Sequence, residues 1–438
     1  MKPVLVLGAF ALAALNAPTA SAQQRPPIRQ IGAVIAKSSD SLTSIAGVRA
    51  LSDGRLLVND IQGRRVLLLD ATLKTAVVVA DSTSATGNAY GGRLGGLIAY
   101  RGDSTLFVDP FSSSMLVIEP MGKIGRVMSI PRTQDAAMLA NPSVGAPGFD
   151  TKGRLVYRQF PSIRPPAFGP NGITGPPAIP ESTAIVRVDL ATRQLDTVGF
   201  AKIPKIKMDM QVTENGGVRI STLNNPLPIV DDWAILPDGS VAFIRGTDYH
   251  VDFVNADGTR TSAPKIPFDW QRLTDDDKVA FIDSVKAARA RLVASLPAGG
   301  AGPAGVIGGL TGGGGTPQIV IQGGPGAGPA GRGSAGGGPG QPTVQIQFIP
   351  PSELPDYKPP FFAGATRVDR DGNLWIHTIP TKAIAGGPVY DVINRKGELV
   401  ERVQVPEKTS IVGFGENGTV ILVLQDNRVS HLETAHIR

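Results

Sequence analysis

The sequence predicts an all-β chain, a six-bladed β-propeller closed by its N-terminal strand and carrying one inserted helix and a Gly/Pro-rich loop. Three observations lead there. A tight-turn signal between two apolar runs recurs six times, most of these hairpins are followed by two more apolar strands, and one unpaired strand stands ahead of the first unit. Repetition at this period is the signature of radially arranged four-stranded sheets.

The chain opens with a charge at Lys2, an apolar stretch from Val4 to Leu15 and the small-x-small pattern Ala20-Ser21-Ala22. That is the anatomy of a signal peptide, cleaved after Ala22, and predicts export to the periplasm or beyond. The stretch is shorter than the roughly 20 apolar residues needed to span a bilayer, and no later segment reaches that length.

The hairpin signals come next. Leu51-Ser52-Asp53-Gly54 precedes Arg55-Leu56-Leu57-Val58, Gly102-Asp103-Ser104 precedes Thr105-Leu106-Phe107-Val108, and Lys152-Gly153 precedes Arg154-Leu155-Val156-Tyr157. Asp238-Gly239, Asp371-Gly372 and Asn417-Gly418 lead in the same way into Val241 to Ile244, Asn373 to Ile376 and Thr419 to Leu422. Asp-Gly and Asn-Gly are favoured where both central residues take positive φ. Third strands are expected at Val66 to Leu69, Met115 to Ile118, Ile185 to Val188, Val251 to Val254 and Val389 to Ile393. Fourth strands are expected at Ala76 to Ala80, Arg126 to Ile130, Asp196 to Phe200, Arg260 to Ile266 and Leu399 to Val405. The sixth unit ends after Arg428 to Leu432 with no fourth strand, and Ile28 to Ala36 is free to supply it, which would remove exposed sheet edges.

Three long insertions, 162–182, 205–230 and 268–363, fall in second-to-third-strand loops or between blades, so all elaboration belongs to one end of a single domain spanning 23–438. Without them and the leader, roughly 46 residues remain per blade, against about 40 to 50 in known propeller repeats. Met208 to Thr213 and Val218 to Leu223 read as a hairpin within an insertion, or as half of a degenerate seventh blade. In the last insertion Thr274 and the acids Asp275, Asp276 and Asp277 start a helix whose apolar line is Phe281, Val285, Ala288 and Leu292, expected to pack on the rim. The tract 298–342 is Gly, Pro and Ala, a composition expected to be disordered, and Gln318 to Gln322 can pair with Val344 to Phe348 across it.

Composition narrows the function. There is no cysteine, so lipid anchoring through cysteine, disulfides and thiolate chemistry are excluded, and a soluble monomer stable through its core is expected. The 43 basic and 37 acidic residues are interspersed, without the basic run that tracks a phosphate backbone, so nucleic acid is not an expected partner. Four histidines are present, His250, His377, His431 and His436, and no G-x-S-x-G, H-E-x-x-H or EF-hand motif accompanies them. His250 and His377 lie on strands near the elaborated end, where either can touch a ligand or simply satisfy a neighbouring backbone group. Asp231-Asp232-Trp233 starts the innermost strand of the fourth blade beneath two insertions. Its carboxylates can ligate a cation or form turns. With Tyr249 these are the ligand-binding candidates: Asp231, Asp232, Trp233, Tyr249, His250 and His377. No catalytic residue is assigned.

The segment Asp369-Arg370-Asp371-Gly372-Asn373-Leu374-Trp375-Ile376 resembles the NHL-like and gluconolactonase-like six-bladed propellers, as does Asp53 to Asp60 with Arg65 to Asp70. Asp232 to Arg245 followed by Asp248-Tyr249-His250-Val251 is similar to exported, uncharacterised propellers of environmental bacteria. Enzymes of that superfamily include lactonases that hold calcium in the channel through a Glu/Asn/Asp set, which is not assigned to residues of this chain. The expectation is a non-catalytic envelope binding or scaffold protein whose loop-rich face holds a protein, peptide or glycan, with no cofactor. The alternative is a calcium-dependent hydrolase or lactonase at the channel mouth.

Overall fold

The structure, a computed structural model, describes residues 25–82, 90–91, 94–164, 168–169, 172–173, 177–212, 218–294, 346–382, 384–426 and 429–437. The expected leader and the Gly-rich tract, with Gln318 to Gln322, lie outside these residues. No described helix is long and apolar enough to cross a membrane.

The described chain is all-β with two α-helices, and its dominant unit is a four-stranded antiparallel sheet. The first sheet is Ile45–Ala50, Leu56–Asp60, Arg65–Leu69 and Ala76–Ala80. The second is Gly96–Ala99, Thr105–Asp109, Ser114–Ile118 and Ile124–Ser129. Gly148–Phe149, Leu155–Arg158, Ser182–Val188 and Leu195–Lys202 form the third. Asp232–Ile235, Val241–Arg245, His250–Val254 and Arg260–Ser262 form the fourth, its last strand shorter than the sequence suggests. The fifth is Phe361–Val368, Leu374–Thr378, Val389–Ile393 and Leu399–Gln404, and the sixth Thr409–Phe414, Thr419–Asp426 and Val429–His436.

The strand expected over Ile28 to Ala36 is two strands. Val34–Lys37 pairs antiparallel with Val429–His436 as the fourth strand of the sixth sheet. Ile28–Gln30 pairs in parallel with Leu399–Gln404 of the fifth. The chain therefore steps across two sheets at Ile31, which is buried.

The central strands of each sheet are apolar on both faces because each sheet is covered on both sides. Among the described residues a separate apolar cluster lies between each pair of consecutive sheets, first to second through fifth to sixth. A further cluster joins the sixth to the first through Leu56, Val58, Leu67, Ile421, Val423 and Leu432. The first strands of neighbouring sheets also lie side by side, with Ala146 bridging Ala234 and the sixth sheet's first strand packing on the first sheet's.

The hairpin turns differ in detail from the sequence expectation. Only Asn417-Gly418 places both central residues at positive φ, 55° and 69°. At Leu51 to Arg55 the amide of Gly54 donates to the carbonyl of Leu51 and that of Leu51 to Arg55, with glycine alone at φ 87°. The same pattern recurs at Gly153, Gly239 and Gly372. These are three-residue loops, a type I turn closed by one left-handed residue, and that geometry needs a single glycine. Asp369 shows what the Asp-x-Asp-Gly-Asn-Leu-Trp pattern builds. Its carboxylate accepts from the amides of Asp371 and Asn373, from Asn373 Nδ2 and from Trp375 Nε1 at 2.8 to 3.0 Å.

The insertions form their own layer. Lys207–Val212 and Val218–Asn224 make the expected hairpin, but Ile346–Phe348 adds to it in parallel and there is no seventh four-stranded sheet among the described residues. Helix Asp275–Ala294 is where expected, capped by Thr274 Oγ1, which accepts from the amide of Asp277 at 3.2 Å. Its buried line runs through Lys278 and Ile282, flanked by Phe281 and Val285, so the predicted stripe is rotated. It packs in a cluster with Leu227, Leu273, Ile349 and Leu354 of the insertions, which Phe362 of the fifth sheet's first strand joins. A second, short helix, Ala136–Ala140, is missed by sequence reading because one and a half turns carry no periodicity.

Candidate functional site

The second-to-third-strand turns of the first, second and fourth sheets share one backbone path. Arg64, Ser113 and Tyr249 occupy the same place in the turns of the first, second and fourth sheets, all at φ near 50°. In the first two turns the aspartate that ends the second strand caps the turn. Asp60 accepts from the amides of Ser44 and Gly63, and Asp109 from Phe111. In the fourth sheet that position is Arg245, and the carboxylate is supplied by Asp231 from outside the strand. Asp231 accepts from Lys202 N at 3.0 Å, Gly246 N at 3.3 Å and Arg245 Nη1 at 2.7 Å.

Asp232 and Trp233 are also spent on structure. Trp233 is 1% exposed and donates to the carbonyl of Val144 at 2.8 Å. Asp232 accepts from the amide of Thr366 at 2.9 Å through Oδ2 and is fully buried. Arg158, also buried, lies near Asp232, and its Nη2 reaches the carbonyl of Asp231 at 3.5 Å. Asp232 Oδ1, Arg158 Nε and Thr366 Oγ1 are left without protein partners. A divalent cation at Asp231 and Asp232 would face the guanidinium groups of Arg245 and Arg158, so these carboxylates do not fit a calcium site. No group of three or more His, Asp or Glu with metal-binding geometry occurs among the described residues.

Tyr249 is buried too. Its hydroxyl donates to Asp391 Oδ2 at 3.0 Å, and its ring stands 5.6 Å from Phe268, edge to face. Arg402 Nε reaches the other oxygen of Asp391 at 3.3 Å. Burial raises both the Tyr249 phenol and the Asp391 carboxyl above their ordinary values, while Arg402 works against the second shift. His250 is held between Asp248, 2.7 Å from Nδ1, and Asp252, 3.2 Å from Nε2.

His377 alone of the six lines the larger pocket. This cavity of about 560 Å³ is assembled from Arg25 and Ile28, Phe268 and Asp269, the loop following His377, and Arg402, Glu407 and Lys408. Gln404 Nε2 donates to the carbonyls of Ala385 and Gly387 at 2.9 Å and its Oε1 accepts from Gln30, tying the pocket loop to the fifth sheet. The His377 ring stacks on Tyr390 with centroids 5.1 Å apart, and burial, aided by Arg367, lowers its pKa to about 4. It is therefore a neutral imidazole at pH 7.

A second pocket of about 510 Å³ lies across the wall, lined by Asp248, Lys265, Trp270, Asp356 and Tyr357 among others. Phe268 lines the first pocket and Trp270 the second, with their rings 5.2 Å apart; extended backbone would put residues two apart on one face, and the tight turn in which the Trp270 amide donates to the Phe268 carbonyl at 3.1 Å breaks that alternation. The six sequence candidates thus do not converge. The pocket residues Arg25, Phe268, Trp270, Tyr357, Arg402 and Lys408 escaped sequence reading. The one available signal was Phe268-Asp269-Trp270, two aromatics separated by one residue at the edge of an insertion.

No family model and no curated protein matches this chain. Among solved structures it is similar to a gluconolactonase from Xanthomonas campestris, with 12% identity, a TM-score of 0.39 and coverage of 94% of this chain and 98% of that one. A calcium-binding regucalcin from Agrobacterium tumefaciens gives 11%, 0.38, 93% and 97% for the same measures. For a streptogramin B lyase they are 9%, 0.34, 92% and 86%.

Proposed function

We propose that the six sheets are the blades of one closed propeller, exported and monomeric, and that the protein binds a protein, peptide or glycan of the cell envelope at the end bearing its long connections. The ring reading is supported by apolar clusters between every consecutive pair of sheets, the sixth and first included. The binding reading rests on one observation above all. Distant stretches of chain, at 25–28, 268–269, 377–389 and 402–408, meet around a single pocket at that end. Sites of this kind are concave, partly apolar and furnished with a few placed polar groups. Arrays of envelope peptides and glycans, probed with the mature chain and with Ile384→Trp, which fills the pocket from its exposed rim, test the reading. A ligand retained by the first and lost by the second is expected. Absence of any retained ligand, or indifference to the substitution, overturns it.

A second reading, hydrolysis of an ester or lactone in the same pocket, is favoured by His377 and Arg402. The imidazole and the guanidinium line one pocket, and groups of these kinds can take a proton and stabilise an oxyanion. Turnover of a lactone and ester panel, lost in His377→Gln and unaffected by a chelator, would select this reading over binding alone.

A further inference from the structure

We propose that the two pockets are adjoining subsites for one acidic oligosaccharide, its carboxylate held in the first and a sugar ring in the second. This rests on the binding reading above and names its ligand class. The first pocket is lined by four cationic side chains, Arg25, Lys382, Arg402 and Lys408, against two carboxylates, Asp269 and Glu407. Arg25 is committed to Asp269 at 2.6 Å, Lys382 reaches the same carboxylate at 4.0 Å, and Arg402 spends Nε on Asp391. Lys408 has no ion-pair partner among the described residues and is exposed at the rim. The excess positive charge, next to apolar Ile28, Phe268 and Ile384, suits a carboxylate on a larger body.

The second pocket has the opposite character. Trp270 and Tyr357 are 39% and 47% exposed there, beside the carboxylates of Asp248 and Asp356. Lys265 and Lys278 reach those carboxylates at 3.6 and 2.7 Å, leaving acceptor capacity on each. An exposed indole offers a flat apolar face to the C–H face of a pyranose, and carboxylates accept hydrogen bonds from its hydroxyl groups. Phe268 of the first pocket and Trp270 of the second touch ring to ring, 5.2 Å between centroids, so the two pockets adjoin through this pair.

Calorimetric titration of the mature protein with trigalacturonate, its methyl ester and a glutamate-rich peptide tests the proposal. Trigalacturonate is expected to bind, the ester at least tenfold more weakly. Lys408→Gln and Trp270→Ala are each expected to weaken trigalacturonate at least tenfold with thermal unfolding unchanged. No binding of trigalacturonate, binding indifferent to Lys408→Gln, or tighter binding of the peptide overturns it. If the arrays yield another ligand that Ile384→Trp abolishes, the binding reading stands while this one falls.

Discussion

The hydroxyl of Tyr249, in the turn of the fourth sheet, donates to the buried carboxylate of Asp391 in the fifth, 3.0 Å away. Both groups are fully buried, and the pair joins two sheets directly behind the wall that separates the pockets. Tyr249→Phe leaves one oxygen of Asp391 without its donor, and a loss of about 1–3 kcal/mol in urea denaturation is expected. Because the folded phenol is raised above its ordinary value, its contribution is complete below pH 10 and is lost as pH rises through the folded value. The stability difference between wild type and Tyr249→Phe should therefore shift on alkaline titration.

His377 titrates in the opposite sense. Its folded pKa, about 4, lies below the ordinary 6.5, so between these values the unfolded chain binds a proton that the folded chain does not. Its contribution is complete above pH 6.5 and is lost as pH falls through 4, at most about 1.4 kcal/mol per pH unit. Denaturation midpoints from pH 4 to 7 should rise less steeply in His377→Gln. An identical slope in the two proteins would show that the ring is solvated.

What the sequence disclosed follows from how far each signal reaches. Strands such as Leu56–Asp60 and Val389–Ile393 were legible because local period and turn chemistry specify them. The candidates Asp231, Asp232, Trp233 and Tyr249 were chosen for chemistry that the fold uses internally. A carboxylate or phenol beside an insertion reads the same whether it faces a ligand or, as here, Arg245 or Asp391. The pocket was illegible because Arg25, Phe268, His377 and Lys408 are distant in sequence and meet only once the sheets are packed. The two-strand path of Ile28–Gln30 and Val34–Lys37 was missed for a related reason, since one short apolar stretch cannot announce two partners.

Gly246 should be the least substitutable glycine of the pocket end. A Cβ there would sit 2.0 Å from the carbonyl oxygen of Val230, a backbone atom that cannot step aside without moving Asp231. Gly246→Ala is expected to cost about 1–3 kcal/mol by overpacking. At Gly153, φ is 75° and nothing lies within 4 Å of the added carbon, so Gly153→Ala carries only the left-handed penalty, about 1–2 kcal/mol. Thermal unfolding of both variants, with Gly246→Ala the less stable, checks the assignment of crowding over conformation.

Removing residues 25–37 tests what the N-terminal segment holds. It takes away Ile28–Gln30 and Val34–Lys37, and with them the partners of Leu399–Gln404 and Val429–His436. Two strands then present unpaired amide and carbonyl rows, and Val405, Phe414 and Ala435 lose the cover of Ile31. Open edges of this kind template association with other chains. The truncated protein should run as higher oligomers in light scattering, while the intact chain stays monodisperse. A synthetic peptide spanning 25–37, added in excess, should restore the monodisperse form, because the two edges it fills are built by the remaining sheets. Failure of the peptide to restore it, with the truncated chain still folded by circular dichroism, would show that the segment is not what seals those edges.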